Sequence, residues 1–168
     1  VNLCIDKIME IYDRTSAQKG VQAIFCDIAV NSDDGKFSVY DYLKQELARR
    51  GIPENEICTA GDAATQKQRN EMYAQLRSGT KRIVLASTSK MGTGANIQTK
   101  LAALHNLDIP WKPSDIEQRN GRIIRQGNSF GEVGVYNYVT ENTFDAYLMN
   151  IIVTKQRFIS QLMSGNAT

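Results

Sequence analysis

Ile5, Ile8, Met9 and Tyr12 recur at three- and four-residue steps, the spacing that places side chains on one face of a helix. The pattern predicts an amphipathic opening helix within residues 1–20, ended by Gly20. The period then changes. Residues 21–28 (VQAIFCDI) form an apolar run of strand length, and the polar stretch 31–36 (NSDDGK) reads as a loop. Ser38 is placed to cap a helix carrying Tyr42, Leu43 and Leu47, which stops at Gly51. A brief strand is expected over 57–60, a helix over 65–76 and a strand over 82–86 (RIVLA). Residues 101–107 read as a fourth strand, a helix is expected from Ser114, and residues 133–139 (VGVYNYV) read as a fifth strand. A long closing helix spans 143–162, with an apolar stripe of Phe144, Tyr147, Leu148, Ile151, Ile152, Phe158 and Leu162 that reads as core packing; residues 164–168 are expected to fray.

Strands alternating with helices imply parallel crossovers, hence an α/β fold: a three-layer α/β/α sandwich on a mainly parallel sheet. The pattern predicts one domain over residues 1–168, with no internal repeat or linker. In such sheets ligands sit beyond the carboxyl ends of the strands. The loop 87–96 follows the third long strand and the helix from Ser114 follows the fourth, so both are expected at that edge.

Composition narrows the class only a little. At 168 residues and 42% hydrophobic the chain can bury a core of its own, and a net charge of +2 is too weak to argue for nucleic acid by itself. Cys4, Cys26 and Cys58 are odd in number and lack metal-ligand spacing, so they read as reduced, buried thiols of a cytoplasmic protein. No apolar run has membrane-spanning length. The helical pattern is already under way at Val1, as expected of a piece cut from a longer protein. His105 is expected to be a packed strand histidine, and Trp111, between Pro110 and Pro113, a core or interdomain anchor.

The candidate chemistry lies in residues 110–127, PWKPSDIEQRNGRIIRQG. Gln118, Gly121, Arg122 and Arg125 stand at i, i+3, i+4 and i+7, one helix face presenting an amide, a gap and two guanidinium groups. Such a face suits a crowded polyanion such as a nucleoside triphosphate. A solvated charged helix is the plain alternative, but a mid-helix glycine costs about 1 kcal/mol relative to alanine and asks for a close neighbour. Residues 84–98, VLASTSKMGTGANIQ, run from a strand into a Ser, Thr and Gly loop whose amides and hydroxyls can hold phosphate oxygens. A dinucleotide fingerprint fails there because the third glycine position is Ile97; a plain flexible loop stays open.

At these residues the chain resembles superfamily 2 helicases and translocases, specifically their C-terminal RecA-like lobe. QRNGRIIRQG is similar to motif VI, with Gln118, Gly121, Arg122 and Arg125 on Q-x-x-G-R-x-x-R, and PWKP before it resembles the Swi/Snf-type branch. The resemblance implies that Arg125 is the arginine finger, Arg122 a second contact to the terminal phosphates, and Gln118 and Gly121 part of the nucleotide face. Gly92, Gly94 and Asn96 fall on the G-x-G-x-N of motif V and by resemblance line the nucleotide edge, while Ser87 and Thr88 lie near the DNA backbone. Residues 61–79 resemble motif IVa and its helix, which implies DNA contacts at Gly61 and Arg69; a surface helix with salt bridges remains the alternative for Arg69. Residues 23–27 resemble motif IV weakly. Gln126, Gly127 and Asn128 depart from the usual remodeller sequence and are closer to helicase-like regions joined to adenine-specific DNA methylases of phages and mobile elements.

No G-x-x-x-x-G-K-[ST] occurs, and no acidic box follows a strand, so the parts that cradle the β- and γ-phosphates and Mg²⁺ are missing. The resemblance therefore implies a second motor lobe, inactive alone, serving ATP and Mg²⁺ bound mainly on a first RecA-like lobe upstream. Its expected partners are duplex DNA, that N-terminal lobe and a fused DNA methyltransferase, in a bacterial or phage-encoded, nucleoid-associated setting. An inert RecA-like module beside a methyltransferase or nuclease is the alternative from another class, and an RNA helicase a third.

Overall fold

The computed structural model describes residues 1–27, 38–87, 96–107 and 127–138, with helical residues 150–151, 153–155 and 157–158. Five strands, β1 (Val21–Phe25), β2 (Ile57–Thr59), β3 (Ile83–Ala86), β4 (Leu101–Asn106) and β5 (Gly134–Asn137), form one sheet in the order β2-β3-β1-β4-β5. Every pairing is parallel. Besides the helical residues after 149, three helices stand among the described residues: α1 (Asn2–Arg14), α2 (Val39–Arg49) and α3 (Gln66–Ser78). The expected three-layer α/β/α architecture is the one observed.

The layers follow from alternation along the strands. Ile24 of β1, Cys26 just after it, and Ile83 and Leu85 of β3 pack against Cys4, Ile5 and Ile8 of α1 and Leu43 and Leu47 of α2. Ala23, Phe25, Val84 and Ala86 face the opposite way, onto Met72 and Leu76 of α3. Both faces are therefore covered, which is why β1 and β3 are fully buried and apolar at every position but Gln22. β4 carries one irregularity: Val21 pairs with Leu101 but Gln22 with Ala103, so Ala102 is an extra residue.

The helix ends obey local chemistry. Ser38 caps α2 by accepting from the Asp41 amide, as expected from the sequence. α3 begins with a capping box in which Thr65 accepts from the Gln68 amide and Gln68 Oε1 accepts from the Thr65 amide. α3 continues past the expected Leu76 to Ser78 and ends on Gly79 in the left-handed region. The opening helix stops earlier than Gly20, at Arg14, because a separate 3-10 turn (Ser16–Gln18) intervenes.

Two expectations need revision or lie out of reach. Phe158 of the expected stripe is 60% exposed, so the stripe of the closing helix does not pack throughout; periodicity tells which residues share a face, and says nothing of what covers it. The expected helix from Ser114, Trp111 and the frayed end 164–168 lie outside the described residues. No described helix is long and apolar enough to cross a membrane.

Candidate nucleotide and nucleic-acid edge

Parallel strands send all their carboxyl ends to one edge, and the hydrogen-bond ladder runs one residue beyond the strands there. The Cys26 amide donates to Ala86 O at 3.0 Å, Leu107 to Phe25 O at 2.9 Å and Tyr138 to Asn106 O at 3.0 Å. Tyr40, in the first turn of α2, donates its hydroxyl to Cys26 O at 3.0 Å and fixes that helix to the same edge.

Two expected DNA contacts come together at this edge. Thr59 pairs with Leu85, and two residues later come Gly61, in the 3-10 turn Ala60–Asp62 that follows β2, and Ser87, just past the end of β3. Gly61 is exposed, and a Cβ built on it would meet nothing within 4 Å, so the backbone there is open to a partner. α3 starts just beyond, which puts Arg69 near the edge in its second turn; its guanidinium folds back onto Gln66 Oε1 at 3.1 Å and Ala64 O at 3.4 Å.

Asn96 is placed differently. It precedes the 3-10 turn Gln98–Lys100 that leads into the amino end of β4, and its carbonyl accepts from Arg77 Nη1 at 3.0 Å, in the last turn of α3. It therefore lies on the return path from the carboxyl edge, away from Gly61 and Ser87. Thr88, Gly92, Gly94, Gln118, Gly121, Arg122 and Arg125 lie outside the described residues. The flanks of the second segment are nevertheless fixed. Leu107 leaves the carboxyl end of β4, whereas Asn128 donates to Leu101 O at 2.7 Å and Ser129 to Thr99 O at 2.7 Å, at its amino end.

A buried polar chain stiffens β4 and β5 beneath this edge. Gln22 Nε2 donates to Ile8 O at 2.9 Å, so Gln22 Oε1 must accept from His105 Nε2–H at 2.8 Å. His105 Nδ1 then accepts from the Tyr138 hydroxyl at 2.7 Å, which in turn bonds the Cys4 thiol. Burial, helped by the Lys7 charge, pulls His105 down to about 3, so the ring is neutral. Burial raises the Tyr138 hydroxyl, and pushes the Cys4 and Cys58 thiols up to about 12, which leaves both cysteines unreactive. The packed strand histidine was legible in the sequence; Gln22 was not, because a glutamine inside VQAIF carries no periodic signal of its partner.

As a ligand surface the described edge offers the exposed, uncrowded backbone of Gly61. It does not suit a magnesium ion by itself. Among the described residues no three His, Cys, Asp or Glu side chains gather, and Asp62 at the edge is 3.8 Å from Lys44.

With this geometry the sequence matches the helicase conserved C-terminal domain over residues 5–127. The chain belongs to that family. The helicase C-terminal domain is 31% identical over 107 residues, 59% of its length, to Defense against restriction protein B of Escherichia phage P1. It is 26% identical over 156 residues, 92% of its length, to the uncharacterized ATP-dependent helicase YqhH of Bacillus subtilis (strain 168). It spans only 5% and 27% of those proteins. The crystal structure of the C-terminal part of the Fun30 ATPase domain covers 88% of it, and 44% of its own length, with a TM-score of 0.65 at 17% identity, a likeness of fold.

Proposed function

We propose that this helicase C-terminal domain is the second motor lobe of an ATP-driven DNA translocase of the Swi/Snf-type branch. The observation that carries the reading is the match to the helicase conserved C-terminal domain over residues 5–127, which takes in Gln118, Gly121, Arg122 and Arg125. Ligands of parallel sheets bind beyond the carboxyl ends of the strands.

In this reading Arg125 and Arg122 face the terminal phosphates of ATP held, with Mg²⁺, mainly by an N-terminal RecA-like lobe of the same protein. Phosphoryl transfer spreads negative charge over the transferred group, and an arginine finger there contributes about 10³ to 10⁵ in rate. Gln118 and Gly121 complete the nucleotide face, with Gly92 and Gly94 beside it, while Asn96 closes their loop where it turns back along α3. Ser87, Thr88, Gly61 and Arg69 hold the backbone of duplex DNA, so that ATP-driven closure of the lobes moves them along it. The work is done in the cytoplasm, on nucleoid or phage DNA, and a DNA methyltransferase in the same protein is the expected neighbour.

ATP hydrolysis by the full-length protein, with and without duplex DNA, tests this for wild type and Arg125→Ala. DNA-stimulated turnover that falls at least about 10³-fold in the variant, with ATP binding retained, is the expected result. Equal rates in both proteins sink the finger. DNA binding without turnover in either favours an inert module, and stronger stimulation by RNA than by DNA moves the substrate to RNA.

A further inference from the structure

We propose that the amino edge of the sheet, opposite the edge described above, binds the phosphodiester backbone of a nucleic acid through Lys19, Lys81 and Lys100, set around an open cavity that Arg82 backs. The site is independent of the motor reading, which uses none of these residues.

Parallel strands begin together as well as end together. Lys19 stands two residues before β1, Lys81 and Arg82 just before β3, and Lys100 just before β4. β3, β1 and β4 are neighbours in the sheet, so at about 4.8 Å per strand the three lysines form a row about 10 Å wide. The five residues of β1 separate this row from the carboxyl edge by about 17 Å.

The lysines are built into the rim of the cavity, which has a volume of about 370 Å³ and a lining that includes Lys19, Asn55, Glu56, Gly79 and Arg82. Lys19 has φ 55°, the only positive φ outside glycine among the described residues. Its stem lies against Gly79, where an added Cβ would stand 2.7 Å from Lys19 Cβ and 3.3 Å from Lys100 Cδ. Lys81 Nζ donates to Asn55 O, and Lys100 Nζ to Gln18 O at 3.2 Å. Lys19 itself is exposed, and its amine has no partner among the described residues.

Charge without counter-charge distinguishes this edge. On and beside α1 and α2, Lys7, Arg14, Lys44, Arg49 and Arg50 each have a carboxylate oxygen within 3.8 Å. Lys19, Lys81, Arg82 and Lys100 form no ion pair among the described residues, and bonds to carbonyls and hydroxyls leave their charges in place. Glu56 is the one carboxylate of the cavity lining, and it accepts from the Tyr12 hydroxyl at 3.0 Å. Arg82 is buried, and its Nη1 reaches only Ser16 Oγ, at 3.4 Å, so that nitrogen keeps a donor for an oxyanion.

The length of the row selects the occupant. A nucleic-acid strand carries one charge per about 3.4 Å of duplex axis, so a row of about 10 Å faces about three phosphates, more than a free phosphate offers. Lysine amines are point charges on flexible stems, which suits a backbone whatever its sequence.

The test titrates a duplex DNA oligonucleotide against the full-length protein at several salt concentrations, as wild type, Lys19→Gln and the triple variant Lys19→Gln, Lys81→Gln, Lys100→Gln. Glutamine removes the charge and keeps a donor for Asn55 O and Gln18 O. The triple variant should bind about tenfold more weakly at low salt and lose about 2.7 from the slope of log K against log salt, about 0.9 for each phosphate contact. Lys19→Gln, whose amine bonds nothing, should lose about 0.9 with an unchanged Tm, and it carries the test if the triple variant fails to fold. Hydrogen exchange in segments 16–20 and 79–82 should slow when the duplex is added to wild type or Arg69→Ala, and stay unchanged in the triple variant. Unchanged salt slopes overturn the proposal, and a lowered Tm beside them makes the lysines turn clamps. Equal protection by inorganic pyrophosphate overturns it in favour of a small-anion site, and equal protection by polyglutamate in favour of an acidic protein. The expected slopes and protection in a protein without DNA-stimulated ATP turnover support this site while the motor reading falls.

Discussion

Arg82 Nη2 donates to the Tyr12 carbonyl at 2.9 Å while the same guanidinium lies over the Tyr12 ring, 3.9 Å from its centroid. Nε donates to Gly20 O at 3.0 Å, and Nη2 also reaches Thr15 Oγ1 at 3.2 Å. A buried arginine thus closes the carboxyl end of α1 and locks the turn into β1 onto the start of β3. The Tyr12 hydroxyl continues the chain to Glu56 Oε1 at 3.0 Å, just before β2. Arg82→Met keeps the apolar stem and leaves these acceptors without a donor. It is expected to cost about 3 kcal/mol, which lowers Tm by about 10 °C for a chain of this size. Urea unfolding with an unchanged m-value checks it.

His105 makes the fold sensitive to acid. Its folded-state value is about 3 against 6.5 for an unperturbed histidine, so below pH 6.5 the unfolded chain takes up a proton that the folded chain refuses. Stability then falls as pH drops from about 6.5 towards 3, by up to about 1.4 kcal/mol per pH unit. Between pH 8 and 5 the loss from this residue is about 2 kcal/mol. Denaturant titrations at a series of pH values should show this slope, and His105→Gln should flatten it while lowering stability overall.

Gly79 and Gly51 both adopt positive φ, 79° and 114°, but only Gly79 is crowded. A Cβ there would stand 2.7 Å from Lys19 Cβ and 3.0 Å from Lys19 O, whereas at Gly51 it meets nothing within 4 Å. Gly51→Ala is expected to cost about 1 kcal/mol, from backbone strain alone. Gly79→Ala should cost about 3 kcal/mol, because the turn from α3 into β3 must also shift. Thermal melts of the two variants side by side give the ranking.

Arg69 gives a salt-dependent signature. If its guanidinium leaves Gln66 to hold a phosphate, Arg69→Ala weakens duplex binding about equally on all sequences and reduces the slope of log K against log salt by about one. Anisotropy titrations at several salt concentrations read both. An unchanged slope returns Arg69 to the role of a surface residue bonded within its own helix.

The sequence by itself determined the alternation of strands and helices, the two-sided burial of VQAIF and RIVLA, the Ser38 cap and the likeness to a helicase C-terminal lobe. These are local matters: period, capping chemistry and motif spacing act within a few residues, and each was readable where it stood. The tertiary structure alone decided the order β2-β3-β1-β4-β5, which sets Gly61 and Ser87 just beyond the ends of the neighbouring strands β2 and β3 while Asn96 turns back along α3. It also chose the partners of the buried polar groups, Gln22 with His105 and Arg82 with Tyr12, across 83 and 70 positions of sequence. No periodicity encodes such pairs, because a hydrogen bond in the core depends on which surfaces the sheet has already brought into contact.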